Sequence, residues 1–210
     1  MKAIIVGSSG LVGSSLVKQL DNDDAFTNIR ALVRKKSGHM YRKVEEIEVD
    51  FNNLPEEVFV GAEIVFCCLG TTIKKAASQE AFRKVDFEYP LVTAKIAKAK
   101  GVKCFAIITS MGSDASSTVF YNRVKGEIEN ALTDLNFDRL GIFRPSLLLG
   151  DRFETRIGER IGQIVMNFFQ FLIPKNYKAI DVQKVATAML KFAKQTDKKE
   201  KTVILSGEMY

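Results

Sequence analysis

The stretch Ala3-Ile4-Ile5-Val6-Gly7-Ser8-Ser9-Gly10-Leu11-Val12-Gly13 decides the fold. A short apolar, mostly β-branched run breaks into three glycines spaced three apart, and an amphipathic segment follows. That is the order strand, tight turn, helix. The turn needs a residue without Cβ to take up positive φ, and a second one where backbone approaches a pyrophosphate. The third lets helix and strand pack closely, with phosphates lying over the positive end of the helix dipole. The spacing G-x-x-G-x-x-G is one residue longer at its front than the G-x-G-x-x-G dinucleotide fingerprint. A merely flexible Gly/Ser turn leaves the helical pattern behind it unexplained.

Composition agrees with that start. A chain of 210 residues is long enough for one domain that buries roughly 70% of its unfolded surface. The apolar share of 46% is ordinary for a soluble globular protein. No apolar run reaches the ~18 residues of a membrane span, so no membrane contact is expected. Lys2 leads at once into the first strand, which argues against a signal peptide. Cys67, Cys68 and Cys104 fall in expected buried strands and lack metal-ligand spacing, so no metal is expected. They read as small hydrophobes in a reducing cytoplasm. The net charge of +6 comes from scattered basic residues without a nucleic-acid signature. It describes a solvated surface with modest help for an anionic cofactor, and nucleic acid is not expected as a partner.

Strands and helices alternate along the chain. Residues 29–34 and 44–50 read as the second and third strands, with Pro55 opening a short helix. The run 63–69 is a fourth strand, apolar throughout after Glu63, as expected when both sheet faces are covered. Helix is expected over 78–100, as two helices divided by Pro90 or as one with an early proline. Residues 103–110 form the fifth strand, 121–135 a helix and 139–146 the sixth strand. An aromatic-rich helix follows over 157–172, then one capped by Asp181 and running to 194. Residues 202–205 close the pattern. Six or seven strands with helices between them imply an α/β Rossmann doubly wound parallel sheet. With no linker in sight, residues 1–210 read as one domain, and 150–180 as a small lobe on the substrate side.

In such folds the end of the second strand meets the adenosine ribose. An acidic residue there accepts from the 2′-hydroxyl of NAD, and a basic one pairs with the 2′-phosphate of NADP. This strand ends Val33-Arg34-Lys35-Lys36. A planar guanidinium suits a phosphate, so NADP is the expected coenzyme.

Tyr121 and Lys125 supply the candidate chemistry. Spaced i, i+4, they share one helix face. A tyrosine hydroxyl ordinarily ionises near pH ~10, but a neighbouring ammonium and an oxidised coenzyme ring favour the phenolate. Such a phenol gives a proton to a carbonyl receiving hydride, or takes one from an alcohol. Ser110, at the end of the fifth strand, lies where a hydroxyl could hold the same substrate oxygen.

Several runs carry a family likeness. They are the glycine triplet, Cys67-Cys68-Leu69-Gly70-Thr71-Thr72, Val85-Asp86-Phe87-Glu88-Tyr89, Ser110, Tyr121-Asn122-Arg123-Val124-Lys125-Gly126-Glu127 and Phe143-Arg144-Pro145. In this order they resemble the extended or atypical short-chain dehydrogenase/reductases, most nearly the small Tat-interacting-protein-like (CC3-type) branch. The resemblance implies NADP(H) bound in a Rossmann domain, with a small C-terminal lobe over the nicotinamide. It implies that Gly7, Ser8, Ser9, Gly10, Leu11, Val12 and Gly13 hold the pyrophosphate and Arg34 the 2′-phosphate. Asp50 and Phe51 would flank the adenine, and Cys68, Leu69 and Gly70 lie along the adenosine and pyrophosphate. Ser110, Tyr121 and Lys125 would form the catalytic set, with Lys125 also reaching the nicotinamide ribose. Pro145, Ser146, Leu147 and Leu148 would touch the carboxamide end. Two departures stand out. Only ten residues separate Ser110 from Tyr121, and Asp86 stands where many relatives carry asparagine.

Other features have plainer explanations. Phe153, Phe168, Phe169, Phe171 and Leu172 pack the lobe against the sheet. His39 is an exposed loop residue, and Lys74 and Lys75, which follow the strand-four loop within reach of a phosphate, read as solvated lysines. The chain therefore reads as a cytoplasmic NADP(H)-dependent oxidoreductase moving hydride between nicotinamide and a small carbonyl or alcohol substrate. A rival of another class is an NADPH-binding regulator that acts through a protein partner with little turnover. An epimerase or dehydratase is weaker, since the lobe is small for a nucleotide-sugar. Either a monomer or a homodimer, paired through the helix 121–135, is compatible with the resemblance.

Overall fold

The computed structural model describes residues 1–150, 174–195 and 200–210. The opening motif forms β1 (Lys2–Val6) and α1 (Leu11–Asn22). β2 (Asn28–Val33) and β3 (Val44–Glu48) follow, and then β4 (Ile64–Cys67). Next come the short α2 (Ile73–Ala76) and α3 (Gln79–Arg83), then α4 (Tyr89–Ala99). β5 (Cys104–Ile108), α5 (Phe120–Asp134) and β6 (Arg139–Arg144) complete the middle of the chain. Beyond them lie β7 (Leu148–Leu149), β8 (Ile180–Asp181), α6 (Val182–Lys194) and β9 (Glu200–Leu205).

Seven strands form one sheet in the order β3-β2-β1-β4-β5-β6-β9, and every pairing is parallel. This is the expected Rossmann-like architecture. The order reverses at β1, where β2 lies on one side and β4 on the other, so a crevice opens at their carboxyl ends. Alternation along β1 explains the two layers. Ala3 and Ile5 join the core beneath α1 and α6, whereas Ile4 and Val6 join the core beneath α4 and α5. All four residues of β4 are buried, as a strand covered on both faces requires.

Differences from the sequence expectations collect at the strand ends. β3, β4 and β6 stop at Glu48, Cys67 and Arg144, short of the expected 50, 69 and 146. Beyond two of these ends, Val49 and Cys68 each donate one more backbone N–H, to Val33 and Val6, before the chain turns into the crevice wall. A second, two-stranded sheet of β7 and β8 was not anticipated; two-residue strands carry no period to read. Pro55 does open a short helix, a 3-10 turn over Glu56–Phe59, and Asp181 caps α6 by accepting from the Gln183 N–H at 2.7 Å. The expected helix over 78–100 is helical from Gln79 to Ala99, with a π turn at Lys84–Glu88 between α3 and α4. Pro90 has no N–H to return to the carbonyl of Asp86, and the ladder adjusts just before it. The expected helix 157–172 and most of the expected lobe 150–180 lie outside the described residues.

Candidate functional site

The glycine turn is built as a cradle. Gly7 has φ +81°, and a Cβ there would lie 2.5 Å from the carbonyl carbon of Cys68. A Cβ on Gly13 would lie 2.1 Å from the Gly7 carbonyl oxygen. Both contacts exclude any side chain, so the loop stays pressed between β4 and α1 with bare backbone facing the crevice. Gly10 precedes the first turn of α1 and has no capping side chain, which leaves early helix N–H groups to a ligand.

Two cavities meet over this loop. One, of about 710 Å³, is lined by Gly7, Ser8, Ser9, Gly10, Val33, Arg34, Phe51, Cys68, Leu69, Gly70, Lys75 and Tyr89, among others. The other, of about 540 Å³, is lined by Ser9, Gly10, Leu11, Val12, Cys68, Leu69, Gly70, Thr71, Lys75, Asp86, Thr109, Tyr121, Lys125 and Leu148, among others. Ser9, Gly10, Cys68, Leu69, Gly70, Thr71 and Lys75 border both. Together the two cavities run from Arg34 at one end to Tyr121 and Lys125 at the other. Gly13 lines neither, in keeping with its packing role.

At the outer end, Arg34 follows the last residue of β2 and is exposed. It shares a recess of about 490 Å³ with Glu48, Asp50, Phe51, Asn52 and Tyr89. The Phe51 and Tyr89 rings pack tilted at 37° with centroids 5.4 Å apart, and Tyr89 Oη donates to Asn52 Oδ1 at 3.2 Å. Asp50 turns back on its own loop, accepting from the backbone N–H and Nδ2 of Asn52. Those bonds hold its carboxyl below the usual aspartate range. The wall beside Arg34 is therefore aromatic, with carboxylates at its rim.

At the inner end, α5 carries Tyr121 half-buried and Lys125 buried. The Tyr121 ring rests on Phe82, centroids 5.4 Å apart. Lys125 Nζ lies 2.7 Å from Asp86 Oδ1, and the two side chains are 5% and 0% exposed. That approach lies outside hydrogen-bonding alignment, so Oδ1 has no aligned donor, while Oδ2 accepts from the Thr71 N–H at 3.0 Å. Burial favours the neutral amine of Lys125. Burial is the largest single influence, but the Asp86 carboxylate, Tyr121 and Cys67 together outweigh it and hold the lysine above its ordinary 10.5. Lys125 is a charged ammonium at neutral pH.

Ser110 stands apart. With Met111, Gly112, Pro145, Ser146, Leu147 and Tyr177 it lines an adjoining recess of about 360 Å³, and its Oγ lies 3.5 Å from Ser113 Oγ. Of the carboxamide-side residues, only Leu148 reaches the cavity of Tyr121 and Lys125. The short loop between Ser110 and Tyr121 lies directly on α5: a Cβ on Gly126 would be 2.1 Å from the Ala115 amide nitrogen.

Lys75 is exposed, in keeping with a solvated lysine, and it also borders both cavities, three residues beyond the Gly-Thr-Thr turn. One lining residue was missed by sequence reasoning. Thr109 faces the inner cavity while donating to Glu129 Oε1 at 2.6 Å. Among the described residues, no group of acidic, histidine or cysteine side chains is arranged to hold a metal. Likewise no described helix is long and apolar enough to cross a membrane.

Known proteins fit this geometry. Residues 2–86 match the family model "Semialdehyde dehydrogenase, NAD binding domain". Protein HTATIP2 of Rattus norvegicus is 40% identical over 194 residues, covering 89% of this chain and 78% of its own length. The protein FMP52 of Candida albicans, named mitochondrial, is 33% identical, covering 99% of this chain and 96% of its own length. Among solved structures, MoeE5 in complex with UDP-glucose and NAD superposes with a TM-score of 0.74 at 15% identity, over 97% of this chain and 75% of that one. At that identity the likeness is one of fold.

The expected cytoplasmic location is corrected by these relatives, since FMP52 of Eremothecium gossypii is also named mitochondrial. The expectation rested on reduced cysteines. Burial pushes the thiol of Cys67 up to about 12 and that of Cys104 up to about 11. Their free state follows from packing and carries no address.

Proposed function

Because this chain belongs to the HTATIP2 and FMP52 family, an atypical branch of the short-chain dehydrogenase/reductases, we propose that it is an NADP(H)-dependent oxidoreductase acting on a small carbonyl or alcohol. The observation that carries the proposal is one shared wall: Tyr121 and Lys125 line the same cavity as the Ser9–Val12 turn. The glycine cradle and the bare start of α1 fit a pyrophosphate, and Lys75 borders the same junction. Arg34 fits a 2′-phosphate beside the Phe51 and Tyr89 rings.

When bound, the nicotinamide supplies or accepts the hydride. The protein's part is to hold and move a proton. In the reductive direction, Tyr121 Oη gives its proton to the substrate oxygen as the carbonyl carbon is reduced. The Lys125 ammonium stabilises the phenolate left behind. In the oxidative direction the phenolate takes the alcohol proton. Ser110, which lines the adjoining recess, is the candidate to orient the substrate oxygen.

The test is NADPH oxidation over a panel of aldehydes, ketones and quinones, run beside calorimetric titration with NADPH. Tyr121→Phe removes the transferable proton and leaves the ring on Phe82. Turnover falls by about 10²–10⁴-fold, with NADPH binding retained. Unchanged residual turnover in the variant would instead identify a coenzyme-binding regulator acting through a partner.

A further inference from the structure

The helix from Gln79 to Ala99 meets α5 through matched positions. Phe82 packs on Tyr121, and four residues later Asp86 meets Lys125, itself four residues after Tyr121. Arg83, next to Phe82, pairs with Glu127, two residues beyond Lys125 on α5. Asp86 sits within the π turn at Lys84–Glu88 and is 1% exposed.

Its two oxygens face two donors on different elements. Oδ2 takes the Thr71 N–H in the loop after β4, and Oδ1 meets the Lys125 ammonium. Neither donor has an acceptor lone pair to offer. An asparagine here must turn its NH₂ toward one of them. Facing Thr71, it opposes an N–H at 3.0 Å; facing Lys125, it opposes an ammonium at 2.7 Å. Only a carboxylate offers an acceptor to the Thr71 N–H and a negative charge to the Lys125 ammonium at once.

We propose that Asp86 is a positioning residue: its carboxylate, anchored by the Thr71 N–H, fixes the Lys125 ammonium on the cavity wall and ties the coenzyme-side loop to α5. The proposal rests on the assignment of Tyr121 and Lys125 above. Lys125 is faced by Asp86 from the neighbouring helix, by Tyr121 from its own, and by Cys67 from β4. Asp86 is the carboxylate among them.

The experiment reads Lys125 directly. Carbon-13-labelled lysine NMR follows the ε-methylene signals of the full chain against pH, with Lys125→Arg identifying the resonance. In the wild-type chain Lys125 titrates above an ordinary lysine. In Asp86→Asn burial is left to act without its counter-charge, and the titration falls below the ordinary value. An unmoved titration overturns the proposal. If Asp86→Asn does not fold, Asp86→Glu keeps the charge, and its Lys125 must still titrate above an ordinary lysine; a fall there also overturns it. This arm requires no turnover, so a chain that binds NADPH without oxidising it still tests the pair. Where turnover is found, displacing the ammonium in Asp86→Asn lowers kcat by about 10²-fold with the coenzyme KM little changed. The loss deepens toward alkaline pH as Lys125 discharges. A loss of stability alone would move neither the titration nor the pH profile.

Discussion

Gly13 and Gly7 are in contact across the nucleotide loop: a Cβ on Gly13 would stand 2.1 Å from the Gly7 carbonyl oxygen and 2.9 Å from its carbonyl carbon. Both neighbours are backbone, so no rotamer relieves the overlap. Gly13→Ala must push α1 away from β1. We expect it to cost about 3 kcal/mol in urea unfolding and to weaken NADPH and NADH binding alike, because the cradle itself is deformed. A variant with native stability and native affinity would show that the loop adapts.

On the proposed NADP(H) reading, Arg34, exposed beyond the end of β2, is the residue that bears on coenzyme choice. Removing a charge-assisted contact to phosphate costs about 1.5–3 kcal/mol. Arg34→Ala is therefore expected to weaken NADPH by roughly 10–100-fold and leave NADH nearly unchanged in calorimetric titration. Equal loss for both would move the 2′-phosphate contact elsewhere.

The fold could be read from the sequence because its elements announce themselves locally. The run Ile4-Ile5-Val6 before the glycines, the apolar β4 and the i, i+4 pair on α5 each carry a period or a breaker. The crevice wall was harder. Lys75 reaches it from the short helix α2 and Thr109 from the position just after β5, and no period marks either as facing a cavity. Asp86 shows the limit most clearly. The sequence marks it as an unusual residue, but its two donors come from Thr71, fifteen positions before it, and Lys125, on another helix. Such a convergence exists only in three dimensions. Compartment was the misjudged point, because a buried thiol reports its packing and not its cellular surroundings.

Behind the inner cavity, Glu129 is a buried carboxylate that accepts from Thr109 Oγ1 and pairs with both Nε and an Nη of Arg144. Arg144→Met strands that charge beside Thr109. Unfolding free energy should fall by about 3 kcal/mol. Adding Glu129→Gln removes the charge while keeping an acceptor for Thr109, so the double variant should recover part of the loss. Strict additivity of the two substitutions would refute the coupling.

Alkaline pH probes the buried thiols. Cys67 ionises at 9.0 when unperturbed and at about 12 in the fold; Cys104 moves from 9.0 to about 11. Burial is the leading cause in both cases. Above pH 9 the unfolded chain releases these protons while the folded chain keeps them, so the folded state binds more protons and stability declines as pH rises. Lys125 acts in the same direction at higher pH. Its folded value lies above 10.5, so its contribution is complete below 10.5 and is lost as pH rises through the folded value. Urea midpoints should therefore fall progressively from pH 9 upward. Cys67→Ala should remove its own share of that slope between pH 9 and about 12. A midpoint independent of pH across this window would mean that the thiols are far less desolvated than their place in β4 and β5 requires.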